Sequence, residues 1–280
     1  MDKKKIIELL NLDLQDEHGA IIQYLSHAYA IGEGEMACEI EAIARDEMRH
    51  LDWLAETIVD LGGTPSLKRG TQNMAGKTVP EWMSNDVGLE GGAIESYQKH
   101  IKAIDEPAIK RLLKRILSDE QSHQGKFEHF IAKAKKEGMK DIRGKRSDST
   151  SKLLDWGIAH EYTVVLQYMF HSHMTKNKEA KKQFEDQAIN EMQHLGWLSE
   201  ELASNGGTPV IEHTGLDQST KTADMLKADL KIEKVVATKY DKAAKETKDP
   251  GLKKLLLQIR DHEKYHIDVF NDLLKDEKKK

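Results

Sequence analysis

Apolar positions in this chain recur at three- and four-residue steps over long stretches that then break off abruptly. In the first half the periodic stretches run from about Lys3 to Ile31, Glu35 to Leu61, Glu81 to Ile104 and Pro107 to about Lys136. Between them lie Gly32 and Gly34, the GGTPS run from Gly62, and the DEP run from Asp105, which puts Pro107 at a first helical position. The second half repeats the scheme, with breaks near Lys176, from Gly206 to Pro209 and from Asp249 to Gly251. The pattern predicts an all-α chain of eight helices, each roughly 25 residues and about 40 Å long.

The halves resemble each other residue by residue. LLNLDLQDEHGAIIQY from Leu9 aligns with LLDWGIAHEYTVVLQY from Leu153, and LGGTPS from Leu61 aligns with NGGTPV from Asn205, both at the spacing that separates Glu17 from Glu161. One residue is then lost from the following loop. Glu90, Tyr97, Pro107, Glu120 and His123 answer Glu233, Tyr240, Pro250, Glu263 and His266. A tandem duplication of a four-helix unit follows, with bundles expected at 1–139 and 151–280 and a Gly-, Ser- and charge-rich linker at 140–150. Short turns join helices one to two and three to four, as in antiparallel hairpins. The link from about Gly62 to Pro80 spans up to roughly 60 Å when extended, enough to cross a bundle lengthwise.

Charge and composition narrow the function. With 38% hydrophobic residues and 19 glycines the chain has material for two cores, and 32% charged residues suit helices with ionic outer faces. A formal net charge of -5 leaves no basic footprint for nucleic acid. Cys38 stands alone, which excludes an intrachain disulfide or a thiolate metal cluster. Nowhere do 18 apolar residues run together and no signal-peptide pattern opens the chain, so a soluble cytoplasmic protein without a membrane partner is expected.

The candidate chemistry lies in a four-residue unit, Glu-x-x-His, that occurs four times: Glu47 with His50, Glu120 with His123, Glu191 with His194, and Glu263 with His266. On a helix each pair projects from one face and offers a bidentate grip on a transition metal. A single pair serves equally as a surface hydrogen bond. Depth along the hairpins supplies what one pair lacks: Glu17 lies nearly as far before the first turn as Glu47 lies after it, and Glu90 and Glu120 repeat the separation. Glu161, Glu191, Glu233 and Glu263 do the same in the second half. Four carboxylates brought together inside a bundle demand cations, and four Glu with two His suit two divalent first-row metals. Iron is the expected occupant, with manganese and zinc compatible with the same ligand types.

These residues resemble the ferritin-like di-iron carboxylate proteins, in which two helices each give a Glu and two give Glu-x-x-His. DEMRH from Asp46, LEGGA from Leu89, SDEQSH from Ser118 and the Gln23–Tyr24 pair are most similar to bacterioferritin. The resemblance implies that Glu47 and Glu120 bridge two metals, with Glu17, Glu90, His50 and His123 terminal. In the second half it makes Glu191 and Glu263 the bridges, with Glu161, Glu233, His194 and His266 terminal. Tyr24 and Tyr168, and likewise Tyr97 and Tyr240, stand seven residues after a terminal Glu. Each is a candidate to hydrogen-bond a ligand or to be oxidised, or is a core tyrosine with a satisfied hydroxyl. Asp46 and Asp119 are placed to orient an imidazole on a neighbouring helix, where the second half has Asn190 and His262; the two sites are therefore expected to differ, the second binding or reacting more weakly. Met48 and Met192 occupy the position that in bacterioferritin ligates haem, and are otherwise packing methionines; a Soret band after expression with haem decides between them. The remaining histidines, apart from His262, are expected on helix surfaces or as satisfied polar groups, with His171 and His173 near a metal route at most.

The resemblance implies oxidation of Fe(II) by dioxygen or hydrogen peroxide, in iron homeostasis or protection from oxidative stress. A storage cage and a haem or iron carrier without turnover are the competing uses. Bacterioferritin carries a short fifth helix, for which the few residues after His123 and His266 leave little room. An intrachain pseudo-dimer, with or without further homo-oligomerisation, is expected over a cage. Light scattering separates a particle of several hundred kilodaltons from a free chain.

Overall fold

The computed structural model describes residues 1–32, 34–139 and 148–279. Eight helices follow in order: α1 (Lys3–Ile31), α2 (Glu35–Asp60), α3 (Val79–Ala103), α4 (Pro107–Glu137), α5 (Ser149–Met174), α6 (Lys178–Ser204), α7 (Thr222–Glu246) and α8 (Pro250–Glu277), with no strand among the described residues. The chain divides into two compact units, Met1–Gly144 and Lys145–Lys280. Of the linker expected at 140–150, residues 140–147 lie outside the described residues.

Helix ends follow local chemistry. Asp2 accepts from the Lys5 amide at 2.9 Å, and Asp148 from the Ser151 amide at 2.8 Å, each satisfying an otherwise orphan donor of a first turn. Asp249 does the same for Gly251 and Leu252, with Pro250 opening α8. Gly138 closes α4 in the left-handed region, φ 64°, where a side chain is disfavoured. Helix α3 starts two residues before the periodicity predicts. The Glu81 carboxylate reaches back to the amides of Lys77 (2.7 Å) and Thr78 (3.1 Å), and Pro80 is accommodated in the first turn.

In the first unit α1 packs on α2 and α3 on α4 as hairpins, and the hairpins join through α1 against α3 and α2 against α4. The second unit repeats these pairings with α5 to α8. Leu10, Leu14, Leu54, Ile58, Leu113 and Ile116 fill one end of the first bundle. Phe184, Phe270, Met225 and Leu226 help to fill a core of the second.

The connection from α2 to α3 carries no helix and lies along α1. The Ser66 amide donates to Asn11 Oδ1 (2.7 Å), the Gly70 amide to the Gln15 carbonyl (2.6 Å) and the Asn73 amide to Gln23 Oε1 (2.7 Å). The long crossover is thus fastened over three turns of helix. At Gly70 the contact is so close that a Cβ would sit 2.7 Å from the Gln15 carbonyl oxygen. In the second unit a hydroxyl takes the place of the Gln15 carbonyl, Thr163 Oγ1 accepting the Thr214 amide (2.9 Å), while Gln167 Oε1 accepts the Asp217 amide (2.7 Å) as Gln23 does for Asn73.

Candidate metal centres

Each of the four helices of the first unit carries one carboxylate to the middle of the bundle. Glu17, Glu47, Glu90 and Glu120 are at most 3% exposed, as are His50 and His123. Their donor atoms form two groups, Glu17, Glu47, His50, Glu120 and Glu47, Glu90, Glu120, His123, and within each group one atom per residue lies within 4.8 Å of the others. Glu47 and Glu120 belong to both groups. In the second unit the groups are Glu161, Glu191, His194, Glu263 and Glu191, Glu233, Glu263, His266, sharing Glu191 and Glu263. Two four-donor sets with two carboxylates in common can hold two cations side by side.

The imidazoles face inward through Nδ1. His50 Nδ1 is 2.8 Å from Glu47 and 3.0 Å from Glu120, and His123 Nδ1 is 2.9 Å from Glu47. Their outer nitrogens meet the aspartates: His50 Nε2 lies 3.4 Å from Asp119 and His123 Nε2 lies 3.3 Å from Asp46. A proton held on Nε2 by these carboxylates leaves the Nδ1 lone pair directed at the cluster. Arg115 pairs with Asp119 (3.0 Å) and Arg49 with Asp46, an outer layer with no counterpart in the second unit, where Gln258 and Gln193 occupy those places. There His266 Nε2 donates to Asn190 Oδ1 and His194 Nε2 to His262 Nδ1, each at 2.9 Å.

The tyrosines bond across the hairpins. Tyr24 on α1 donates to Glu90 on α3 at 2.6 Å, and Tyr97 on α3 donates to Glu17 on α1. Tyr168 to Glu233 and Tyr240 to Glu161 repeat the crossing. Each hydroxyl therefore occupies one oxygen of the glutamate on the opposite hairpin, not of the glutamate seven residues before it. Tyr24 and Tyr97 are equivalent in this respect. Met48 and Met192 are half-buried on α2 and α6, outside the donor groups.

The charge balance of four carboxyls and two imidazoles buried together is unfavourable. Burial pushes the Glu47 and Glu90 carboxyls well above the usual carboxylate range, and raises Glu120 to about 8 with the nearby charges of Glu17 and Glu47 adding to it. Glu161 and Glu233 are likewise raised by burial. Burial also opposes charge on Glu191, but His266 and His194 beside it hold that carboxyl well below its ordinary value. Several buried atoms make no hydrogen bond of proper geometry, although the imidazole nitrogens among them lie within ion-pair distance of glutamate oxygens: both oxygens of Glu47 and of Glu263, Oε2 of Glu90 and of Glu233, and Nδ1 of His50, His123 and His266. Carboxylate oxygens and imidazole nitrogens converging on one point are the requirements of a cation site.

Buried pairs that helical periodicity does not reveal flank the clusters. His27 bonds Asp86 (2.9 Å) and His171 bonds Asp229 (3.0 Å), while Gln23 and Gln167 donate to the same aspartates at 2.7 Å. These histidines and His100, which bonds Asp13 at 2.8 Å, are satisfied polar groups in the interior, the second of the two alternatives the sequence leaves for them. The duplication carries the missing signal, because Gln23, His27 and Asp86 recur as Gln167, His171 and Asp229.

A four-helix bundle with a long crossover and paired carboxylate-histidine sets at mid-depth defines the class of carboxylate-bridged metal proteins. The model of the ferritin-like domain matches this chain twice, over residues 7–136 and 151–279, and the chain belongs to that family as two consecutive copies. It is 35% identical to the bacterioferritin of Desulfovibrio desulfuricans over 134 residues, covering 46% of this chain and 75% of the relative. It is 32% identical to that of Streptomyces coelicolor over 125 residues, 42% of this chain and 75% of the relative. A crystal structure of the Desulfovibrio protein, described as showing its diiron site in different catalytic states, aligns at 34% identity with a TM-score of 0.45, covering 48% of this chain and 82% of that one. No described helix is long and apolar enough to cross a membrane.

Proposed function

We propose that each bundle binds two Fe(II) ions as substrate and oxidises them with dioxygen or hydrogen peroxide, so that the chain acts in iron handling and protection from oxidative stress. The observation that carries this reading is the sharing of Glu47 and Glu120, and of Glu191 and Glu263, between two donor sets. The shared carboxylates would bridge the ions. Glu17 and His50 complete one position, Glu90 and His123 the other; Glu161 with His194 and Glu233 with His266 do so in the second unit.

Two adjacent ferrous ions supply the two electrons that reduce one peroxide, with two protons, to two waters. The chain's own groups prepare for this. Asp46 and Asp119 fix the imidazole tautomers, and the four tyrosine hydroxyls hold one oxygen of each outer glutamate, leaving the other for the ion. Similarity to bacterioferritins supports iron over manganese or zinc.

Anaerobic loading with Fe(II), followed by a stopped-flow pulse of peroxide, tests the reading. One peroxide consumed per two Fe(II), with ferric absorbance appearing in the same phase, is expected. Iron that binds but neither changes its spectrum nor consumes oxidant would make the chain a carrier.

A further inference from the structure

The two bundles differ where a small solute would reach the cluster. In the first unit a cavity of about 220 Å³ runs from the surface to Glu17, Glu90 and Glu120. Beside Tyr24 and Leu89, much of its wall is small or acidic, with Asp16, Ala20, Gly92, Ala93 and Ser96 among its residues. Asp16 and Gly92 are exposed, whereas the three glutamates at the far end are buried, so the cavity joins solvent to the donor set.

The duplication shows what stands at the same places in the second unit. Ala20 becomes Val164 and Ala93 becomes Val236, both 1% exposed. Asp16 becomes His160, Ser96 becomes Lys239, and the exposed Leu12 becomes Trp156. The Trp156 ring stacks on His160 with centroids 5.3 Å apart and meets Tyr240, the tyrosine bonded to Glu161, edge-on at 5.4 Å. Lys239 Nζ lies 3.3 Å from the centroid of the same indole. A cation–aromatic contact of this kind fixes a long side chain that would otherwise sweep through solvent. His160, Trp156 and Lys239 thus form one stacked assembly against Tyr240. Bulk and sign both change: an acidic mouth attracts a divalent cation, and a lysine laid over a tryptophan repels one.

We infer that the cluster of the first unit exchanges ions directly with solvent, while Trp156, His160 and Lys239 close the corresponding route in the second, so that one chain carries a fast and a slow centre for divalent cations. The inference rests on the proposed dinuclear sites, but it concerns rates, whereas those sites are tested by the number of ions bound.

Co(II) uptake by the metal-free full-length chain, followed by its visible absorbance, separates the two. Two ions per chain are expected in a fast phase and two in a phase at least about tenfold slower. Trp156→Leu with Lys239→Ser, the residues that the first unit uses at those places, is expected to accelerate the slow phase and leave the final count unchanged. The reciprocal Leu12→Trp with Ser96→Lys is expected to slow the fast phase, and provides the test if the first pair fails to fold. Glu191→Ala should remove the slow phase and Glu47→Ala the fast one. Uptake of all four ions in one phase, or a slow phase that survives Glu191→Ala and disappears with Glu47→Ala, would overturn the inference. A final count below four in the opened variant would instead contradict the dinuclear sites themselves.

Discussion

At the residue scale the two centres share their inner donors and differ in what stands behind them. In the first unit each Nδ1 that faces the cluster is backed by an Nε2–carboxylate contact, from Asp119 or Asp46, and these carboxylates are themselves paired with arginines. In the second unit the backing groups are neutral: Asn190, and His262, whose burial disfavours its charged form. A carboxylate behind an imidazole raises its basicity toward a metal more than an amide or a neutral ring does. The expected outcome is that metal binds the Glu191→Ala protein, which retains the first centre, about 10- to 100-fold more tightly than the Glu47→Ala protein. Isothermal titration measures it, and equal affinities would remove the distinction. Most of this was legible from the aligned halves, because Asp46 and Asp119 precede shared glutamates and their counterparts do not match. The crossing of the tyrosine bonds was not, since a seven-residue step along one helix says nothing of which neighbouring helix a hydroxyl meets.

At the scale of the element, the crossover holds the bundle's order. It is anchored through Gln23, which donates to Asp86 and accepts from the Asn73 amide, and so ties α1, α3 and the connecting segment at one side chain. Gly70 allows the backbone to reach α1. Its replacement by alanine would place a methyl 2.7 Å from the Gln15 carbonyl oxygen and 2.9 Å from Asp16 Oδ1. Gly70→Ala is therefore expected to destabilise the first unit by about 1–3 kcal/mol, read as a lower unfolding midpoint in denaturant. The converse Thr163→Gly exchange tests the second unit's alternative, where loss of the hydroxyl that accepts the Thr214 amide should also destabilise. Periodicity and breaker residues sufficed to locate the helices, with α1 and α4 within a residue of their expected ends. The path of the crossover was not legible. Its contacts are backbone amides on polar side chains, which leave no hydrophobic period to read.

For the whole molecule the central physical fact is the concentration of acid inside two bundles. Glu120 is raised to about 8 in the folded chain, against an ordinary value of 4.5, and Glu47 and Glu90 are raised with it. Between those pH values the metal-free folded state binds more protons than the unfolded state, so its stability falls as pH rises. His123, lowered by burial from 6.5, works in the opposite direction at the acid end. The decline should therefore be steepest from about pH 6.5 to 8. Calorimetry of chelator-stripped protein is expected to show Tm falling over that range, and metal-loaded protein to show no such fall because cations replace the protons. A metal-free Tm that rises from pH 6.5 to 8 would contradict this charge balance.

Two metal ions held through shared glutamates in each ferritin-like unit would make four per chain. Metal content per chain on purified, iron-saturated protein, with iron, manganese and zinc read together, tests it most directly. Four irons per chain, falling to two in either Glu47→Ala or Glu191→Ala, is the predicted result. Two irons in the unaltered chain, or a count that neither substitution changes, would contradict it.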